Sequence, residues 1–227
     1  MLTFNYRYLI YPNAAQEQKL IEWLEICRGA YKYALREIKD WCDSRKCLID
    51  KCSLEKEYII PAKAKFPKEI NQLNNLPKAK KEFAKLGEVP SQVLQQGIKQ
   101  LHRGWEYFQE RGFGFPRCKK DGQFKSLLFP QFKENPVTNF DIKLPKIGAI
   151  TINLHRPIPS GVVVKQVRAI GKADRWYASI NIQCDVSVPD AMPHGHPIGV
   201  DVGIQKFLAT SDSVSVQPPK FFKSLLS

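Results

Sequence analysis

Leu2-Thr-Phe-Asn-Tyr-Arg-Tyr-Leu-Ile-Tyr11 runs directly into Pro12-Asn13, and the reading of this stretch decides the fold. Phe4, Tyr6, Tyr8 and Ile10 alternate with Thr3, Asn5 and Arg7, a period of two that predicts a β-strand. Pro12-Asn13 ends it. Asn13 and Gln16 stand three residues apart, the spacing of a capping box, so a helix is expected to begin here. Leu20, Leu24, Cys27, Tyr31, Ala34, Ile38 and Trp41 then advance by threes and fours, which predicts a long amphipathic helix.

Outward from this stretch the chain falls into a helical part and a strand-rich part. Residues 44–75 are irregular, with Pro61, Pro67 and an Asn-rich run from Asn71 to Asn75, so short helices and loops are expected. A short basic helix is predicted from Pro77 to Leu86, ended by Gly87. Pro90-Ser91 opens a second long helix with the stripe Leu94, Ile98, Leu101, Trp105 and Phe108. Gly97 and Gly104 sit seven apart on it. Because glycine costs about 1 kcal/mol in a helix interior, the pair points to close approach of another helix. The two long helices are expected to pack together.

Past Arg111 the pattern changes. Gly112, Gly114 and Pro116 break the helix, and Asp121-Gly122 signals a hairpin between Phe115–Lys120 and Gln123–Phe129. Ile150, Ile152 and Leu154 alternate. So do Trp176, Ala178, Ile180, Ile182 and Cys184, with Gly171 to Arg175 turning the chain back from Val162–Ile170. These are strands of an antiparallel sheet or barrel. If the N-terminal strand joins them, the helices between become an insertion. Residues 185–197, with three prolines, read as a linker.

Composition narrows the function classes. The 227 residues carry 43% hydrophobic and 11% aromatic side chains, which excludes a wholly disordered chain. Apolar runs are too short for a membrane helix, and polar Asn5 and Arg7 argue against a secretory signal. The net charge of +13 is uneven: residues 61–133 hold 15 basic and six acidic groups, a net +9. Such a field suits a polyphosphate backbone. Cys42, Cys47 and Cys52 recur at intervals of five without a Cys-x-x-Cys pair, and His194 and His196 lie far off. Reduced thiols are expected, and no zinc site.

The sharpest local feature is Ile198-Gly-Val-Asp-Val-Gly203, read as a buried strand with a second at Lys206–Thr210. A carboxylate inside an apolar strand costs several kcal/mol unless it is paired or on a metal. RNase H-like nucleases place such an aspartate on Mg²⁺. Actin-like ATPases place one near ATP, but their turn offers glycines or hydroxyls, and Gly203-Ile-Gln-Lys206 offers neither a second glycine nor a hydroxyl. The nuclease reading is therefore favoured, with an aspartate that merely caps a turn as the bland alternative. Asp212 reads as a turn residue.

Several stretches together resemble the N-terminal half of TnpB (OrfB) proteins, the transposon-encoded relatives of type V CRISPR nucleases. They are Tyr6-Arg-Tyr-Leu-Ile-Tyr-Pro-Asn-Ala-Ala-Gln, Arg28-Gly-Ala-Tyr31-Lys-Tyr-Ala-Leu, Gly114-Phe-Pro-Arg117-Cys-Lys, Lys143-Leu-Pro-Lys-Ile-Gly148, Arg156-Pro-Ile-Pro-Ser-Gly161, Trp176-Tyr-Ala-Ser-Ile and Gly199-Val-Asp201-Val-Gly. Their order and spacing make the match specific, although Cys118 stands where an aromatic is more usual.

The resemblance implies an α+β fold. A wedge-like antiparallel β-barrel (residues 1–11 and 112–184) is interrupted by a helical recognition lobe (12–111). An incomplete RuvC-like, RNase H-like segment follows at 198–227. It implies RNA-guided DNA cleavage in a prokaryotic cytoplasm, at the nucleoid, with guide RNA and target DNA as partners, held by backbone and shape in a basic channel. Arg28, Tyr31, Lys32, Arg117, Lys119, Lys120 and Lys125 are the expected nucleic-acid contacts, with packing on the apolar stripe as a second reading for Tyr31. Asp201 is the expected catalytic and metal-binding carboxylate. The family's Mg²⁺ centre needs further carboxylates, so this chain is expected to be a truncated member that neither holds Mg²⁺ stably nor cuts alone. A partial sheet with no covering helix would leave an apolar face exposed. Two other classes remain: a DNA-binding regulator with a helix-turn-helix-like N-terminal region, and an actin-like ATPase fragment.

Overall fold

The computed structural model describes residues 2–46, 60–61, 63–159, 161–184, 198–203 and 206–218. The chain divides into two compact units, Met1–Val186 and Ser187–Ser227. The first holds strand β1 (Leu2–Tyr11), helices α1 (Ala14–Lys46), α2 (Glu69–Glu82), α3 (Lys85–Glu88) and α4 (Ser91–Arg111), then strands β2 (Ser126–Phe129), β3 (Asp141–Leu144), β4 (Gly148–Asn153), β5 (Val163–Lys172) and β6 (Arg175–Cys184). The fold is α+β.

The expected capping box forms. The Gln16 backbone N–H donates to Asn13 Oδ1 at 2.8 Å, and the Asn13 N–H donates to Gln16 Oε1 at 3.0 Å. Two otherwise orphaned donors are satisfied, and such a cap contributes about 1 kcal/mol. From it α1 runs 33 residues, roughly 50 Å. Its predicted stripe is buried from Leu20 to Ile38, with Trp23 and Leu35 added to it.

β1 is the hinge of the architecture. It pairs antiparallel with β6 from Leu2↔Cys184 to Ile10↔Trp176, and with β4 through Leu9↔Asn153 to Tyr11↔Thr151. The sheet order is β2-β5-β6-β1-β4-β3, so the helices are an excursion between two strands of one sheet. The sheet is antiparallel, as expected, and curls into a half-barrel where the resemblance implied a wedge-like β-barrel. Its edge strands β2 and β3 are four residues each, and β2 packs against α1 and α4. Alternation holds along β6, where Trp176, Ala178, Ile180, Ile182 and Cys184 are all buried. Three polar contacts fasten the start of α1 to the sheet. Gln16 Nε2 donates to the Ala149 carbonyl at 2.7 Å, Lys19 Nζ to the Lys146 carbonyl at 2.6 Å, and Trp176 Nε1 to Glu17 Oε1 at 3.0 Å.

Two helical expectations need correction. Pro77 lies inside α2 instead of opening a helix. Proline there removes the hydrogen bond to the Leu73 carbonyl, yet the helix continues because Gln72 and Leu76 on either side of that turn are buried. Gly97 and Gly104 behave differently from each other. A Cβ at Gly97 would lie 3.7 Å from the Cys27 carbonyl oxygen, the expected approach of α1 to α4. At Gly104 the near neighbour is the Pro116 ring at 3.8 Å, which belongs to the connection after α4 and not to a helix.

The strand expected at Phe115–Lys120 does not form. Phe115 is drawn instead into an aromatic cluster, 5.5 Å from Trp105 and 5.3 Å from Phe108, and Pro116 has no N–H to give a ladder. The Asp121-Gly122 turn is present, with Gly122 at φ 69° and the Gln123 N–H donating to the Lys120 carbonyl at 3.0 Å. Only its far side continues as a strand, β2, which pairs with β5.

A buried polar link joins three helices. Gln72 Nε2 donates to the Ala34 carbonyl at 3.0 Å and to Glu37 Oε2 at 2.7 Å, while its Oε1 lies 2.8 Å from His102 Nε2. An amide oxygen only accepts, so Nε2 carries the His102 proton. Burial holds the His102 pKa below 6.5, partly opposed by Glu69 and Glu106. The unfolded chain therefore binds this proton at a pH where the folded chain does not. Stability is full above about pH 6.5 and declines as pH falls below it, until the folded group also titrates. The melting temperature is expected to drop between pH 7.5 and pH 5, and His102→Gln to flatten that drop. An equal drop in both proteins would assign it to other groups.

The second unit holds β7 (Val200–Asp201), β8 (Leu208–Thr210) and β9 (Ser215–Val216), an antiparallel sheet in that order. The strand expected to be buried is not. Val200 is 59% and Val202 67% exposed, and Asp201 is exposed as well. No helix of this unit covers the sheet among the described residues, so an apolar face stays open, as a partial sheet requires. The 185–197 linker lies outside the described residues, as do Cys47, Cys52, His194 and His196 of the cysteine reading.

Candidate nucleic-acid interface

The interface begins on α1. Its apolar side is committed to the core, so Arg28 and Tyr31, one turn apart, reach the connection that leaves α4. Arg28 Nη2 lies 2.6 Å from Glu25 Oε2 and 2.6 Å from Asp121 Oδ1. Tyr31 Oη donates to the Arg117 carbonyl at 3.4 Å. The Lys119 ammonium sits 5.0 Å from the Tyr31 ring centroid and 4.7 Å from that of Phe124. Two stretches about 90 residues apart in sequence are thus clasped together.

Charges explain how each predicted residue is used. Arg28 is held as a cation by its hydrogen bond to Glu25 and the nearby Asp121, which raise its pKa. Asp121 is 87% exposed, so this pair positions more than it stabilises. Burial raises the Tyr31 pKa and lowers that of Lys119. Lys119 is a cation parked between two aromatic faces. Arg28, Tyr31 and Lys119 therefore spend their side chains on the protein, and for Tyr31 the packing reading is the one the geometry favours. Arg117, Lys120 and Lys125 are exposed on the clasped segment, and Lys32 is exposed on α1. None of these four pairs with a carboxylate among the described residues.

Sequence reasoning passed over a second basic group. Lys99 and Arg103 on α4 and Arg168 on β5 line a cavity of about 110 Å³ beside Ser126 and Gly97. The signal was available: Lys99 and Arg103 are four apart, like charges on one helix face. Arg168 interrupts the apolar run of β5, but its neighbourhood depends on where α4 lands. A third group lies by β1, where the Arg156 guanidinium stacks 5.4 Å above the Tyr6 ring and Tyr8 Oη donates to the Arg156 carbonyl at 2.9 Å.

Asp201 stands apart in the second unit. It pairs across to Ala209, and the turn after β8 is closed by Ser213 N–H donating to the Thr210 carbonyl at 3.1 Å, with Asp212 in that turn as expected. Because the strand is exposed, Asp201 carries no desolvation cost, and the argument that it must be paired or metal-bound loses its premise. Among the described residues no three His, Cys, Asp or Glu side chains converge as a metal site. Asp201 by itself does not fit a Mg²⁺ centre, and no cleavage step is assigned to it.

A family model describing a helix-turn-helix domain of OrfB proteins matches residues 1–47. Two relatives share the name "Putative RNA-guided DNA endonuclease". InsQ of Escherichia coli (strain K12) is 34% identical over 138 residues, 61% of this chain and 34% of InsQ. The chain is thus similar to TnpB (OrfB) proteins over these stretches. The other relative, from Streptomyces pristinaespiralis, is 27% identical to this chain over 147 residues, 63% of the chain and 36% of its own length. The chain spans about a third of the length of the relatives it matches. Within the matched segment the described residues 2–46 form one strand and one unbroken helix. The two helices and turn that a regulator would insert into a major groove are therefore not seen among the described residues of the matched segment.

Proposed function

We propose that this chain is a transposon-associated nucleic-acid-binding protein that holds a guide RNA and its DNA target on the basic surface of the unit Met1–Val186. One observation carries the reading: Arg28 and Tyr31 of α1 hold the segment 117–125 through Asp121, the Arg117 carbonyl and Lys119, leaving Arg117, Lys120 and Lys125 exposed and unpaired with described carboxylates. Phosphate contacts of this kind position a strand without reading its sequence. In this reading the half-barrel is the wedge, residues 12–111 are the recognition lobe, and residues 198–227 belong to a RuvC-like domain. Asp201 is one carboxylate of that domain's Mg²⁺ centre, and its companions are not among the described residues. The place of action is the prokaryotic cytoplasm, at the nucleoid. No helix of the described residues is long and apolar enough to cross a membrane.

The test is a binding titration with a structured RNA and with duplex DNA of equal length, between about 50 and 200 mM salt. Neutralising three phosphates of a single strand predicts a fall of roughly 20-fold over that range. RNA is expected to bind more tightly than duplex. Affinity indifferent to salt, or duplex binding without RNA binding, would overturn the proposal, the second outcome in favour of the regulator.

A further inference from the structure

The cleft between α4 and β5 gathers cations from two elements, with Lys99 and Arg103 exposed and Arg168 half-buried. Its walls bring Lys99, Arg103 and Arg168 together with the neutral donors Gln96, Gln100 and Ser126, and no carboxylate lines it. Arg168 Nη1 donates to Ser126 Oγ at 3.3 Å, which aims the guanidinium along the β2–β5 edge. Burial and the Arg103 charge both depress the Arg168 pKa, so the folded chain holds two guanidiniums near each other at a cost. None of the three cations forms an ion pair with a carboxylate among the described residues. Lys99 and Arg103 stand at the exposed rim and Arg168 is half-buried, so an anion entering the cleft meets all three cations and relieves their mutual repulsion.

Size limits the anion. At about 110 Å³ the cavity takes a few waters' worth of volume, at about 30 Å³ each, and falls below the roughly 300 Å³ where sites for whole small molecules begin. That space suits a phosphate group and excludes a base with its sugar. Gly97 helps to make the room, since its missing side chain opens the wall next to Cys27 and Phe124. Guanidinium forks match phosphate oxygens two at a time.

We propose that Arg103 and Arg168, with Lys99, form a single-phosphate pocket between α4 and β5. The phosphate comes from a nucleic-acid strand, internal or terminal, or is free inorganic phosphate. The strand form rests on the nucleic-acid reading above; the pocket itself does not.

The experiment compares the full chain with Arg168→Gln, Arg103→Gln and, as a control on the far edge strand, Lys143→Gln. Each is titrated with one single-stranded RNA bearing either a 5′-phosphate or a 5′-hydroxyl, and each is melted with and without inorganic phosphate at matched ionic strength. Loss of one phosphate contact predicts roughly 3- to 10-fold weaker RNA binding and a salt slope shallower by about 0.7 in either arginine variant. Lys143→Gln is expected to bind like the parent. Without ligand the arginine variants should melt no lower than the parent, because each removes a repulsion; a merely structural arginine would lower the melting temperature. A 5′-phosphate preference lost in the variants identifies a strand end, and equal affinity for both RNAs identifies an internal phosphate. If the parent binds no RNA but inorganic phosphate raises its melting temperature and not that of the variants, the pocket stands and the nucleic-acid function falls. If the parent binds RNA, the arginine variants bind it equally with unchanged slope, and inorganic phosphate raises the melting temperature of none of them, the pocket is refuted and the wider function is untouched.

Discussion

Replacing Arg117, Lys120 and Lys125 together by glutamine will weaken RNA binding by about 10- to 100-fold near 0.1 M salt. The plot of log affinity against log salt will flatten by about 2, because each neutralised single-strand phosphate accounts for roughly 0.7 of the slope. Stability should hardly change, since all three side chains are exposed. Arg28→Met gives the contrasting result. It breaks the link from α1 to Asp121, so melting temperature falls modestly while the salt slope at low temperature stays near the parent value. A triple variant that binds like the parent would show that the clasped segment does not face the ligand. An Arg28→Met protein with a much shallower salt slope would mean that Arg28 leaves Glu25 and Asp121 to meet a phosphate.

Trp23→Ala will destabilise the first unit by about 3–5 kcal/mol, the range for truncating a buried aromatic. Trp23 is 0% exposed in the face of α1 that turns toward the core. For a unit of this size the loss corresponds to a drop in melting temperature of roughly 10 °C or more, large against a total stability of about 5–15 kcal/mol. Trp23→Phe separates two contributions. The Trp23 Nε1–H is buried and has no hydrogen-bond partner among the described residues, and an unpaired buried donor costs about 1–3 kcal/mol. Phenylalanine removes that donor while keeping most of the ring, so its loss should be well below that of alanine. Chemical denaturation read by circular dichroism tests both. If the two variants lose equal stability, the indole N–H carries no penalty and the packing argument is incomplete.

Local signals account for the parts of the fold that the sequence foretold. The Asn13–Gln16 cap, the stripe from Leu20 to Ile38 and the alternation from Trp176 to Cys184 each depend on neighbours within a few residues, and each appears as expected. Where expectation failed, a distant surface outweighed a local preference. Pro77 stays helical because its turn is packed on both sides, and Phe115 leaves a would-be strand for the aromatic rings of α4. Asp201 went the other way: apolar neighbours suggested burial, but no helix of its unit lies over the strand among the described residues.

The candidate site divides along the same line. Sequence by itself determined the resemblance to TnpB (OrfB) proteins, the basic middle of the chain and the two motifs containing Arg28 with Tyr31 and Arg117 with Lys119. Residue type and order carry that information directly. Only the tertiary structure decided which cations are consumed by the clasp and which are offered to solvent, and that Arg168 on a strand meets Arg103 on a helix 65 residues earlier. The physical reason is range: a cap or a stripe is settled within one or two turns of backbone, whereas a charge acquires its role from whatever the folded chain places within a few ångströms of it.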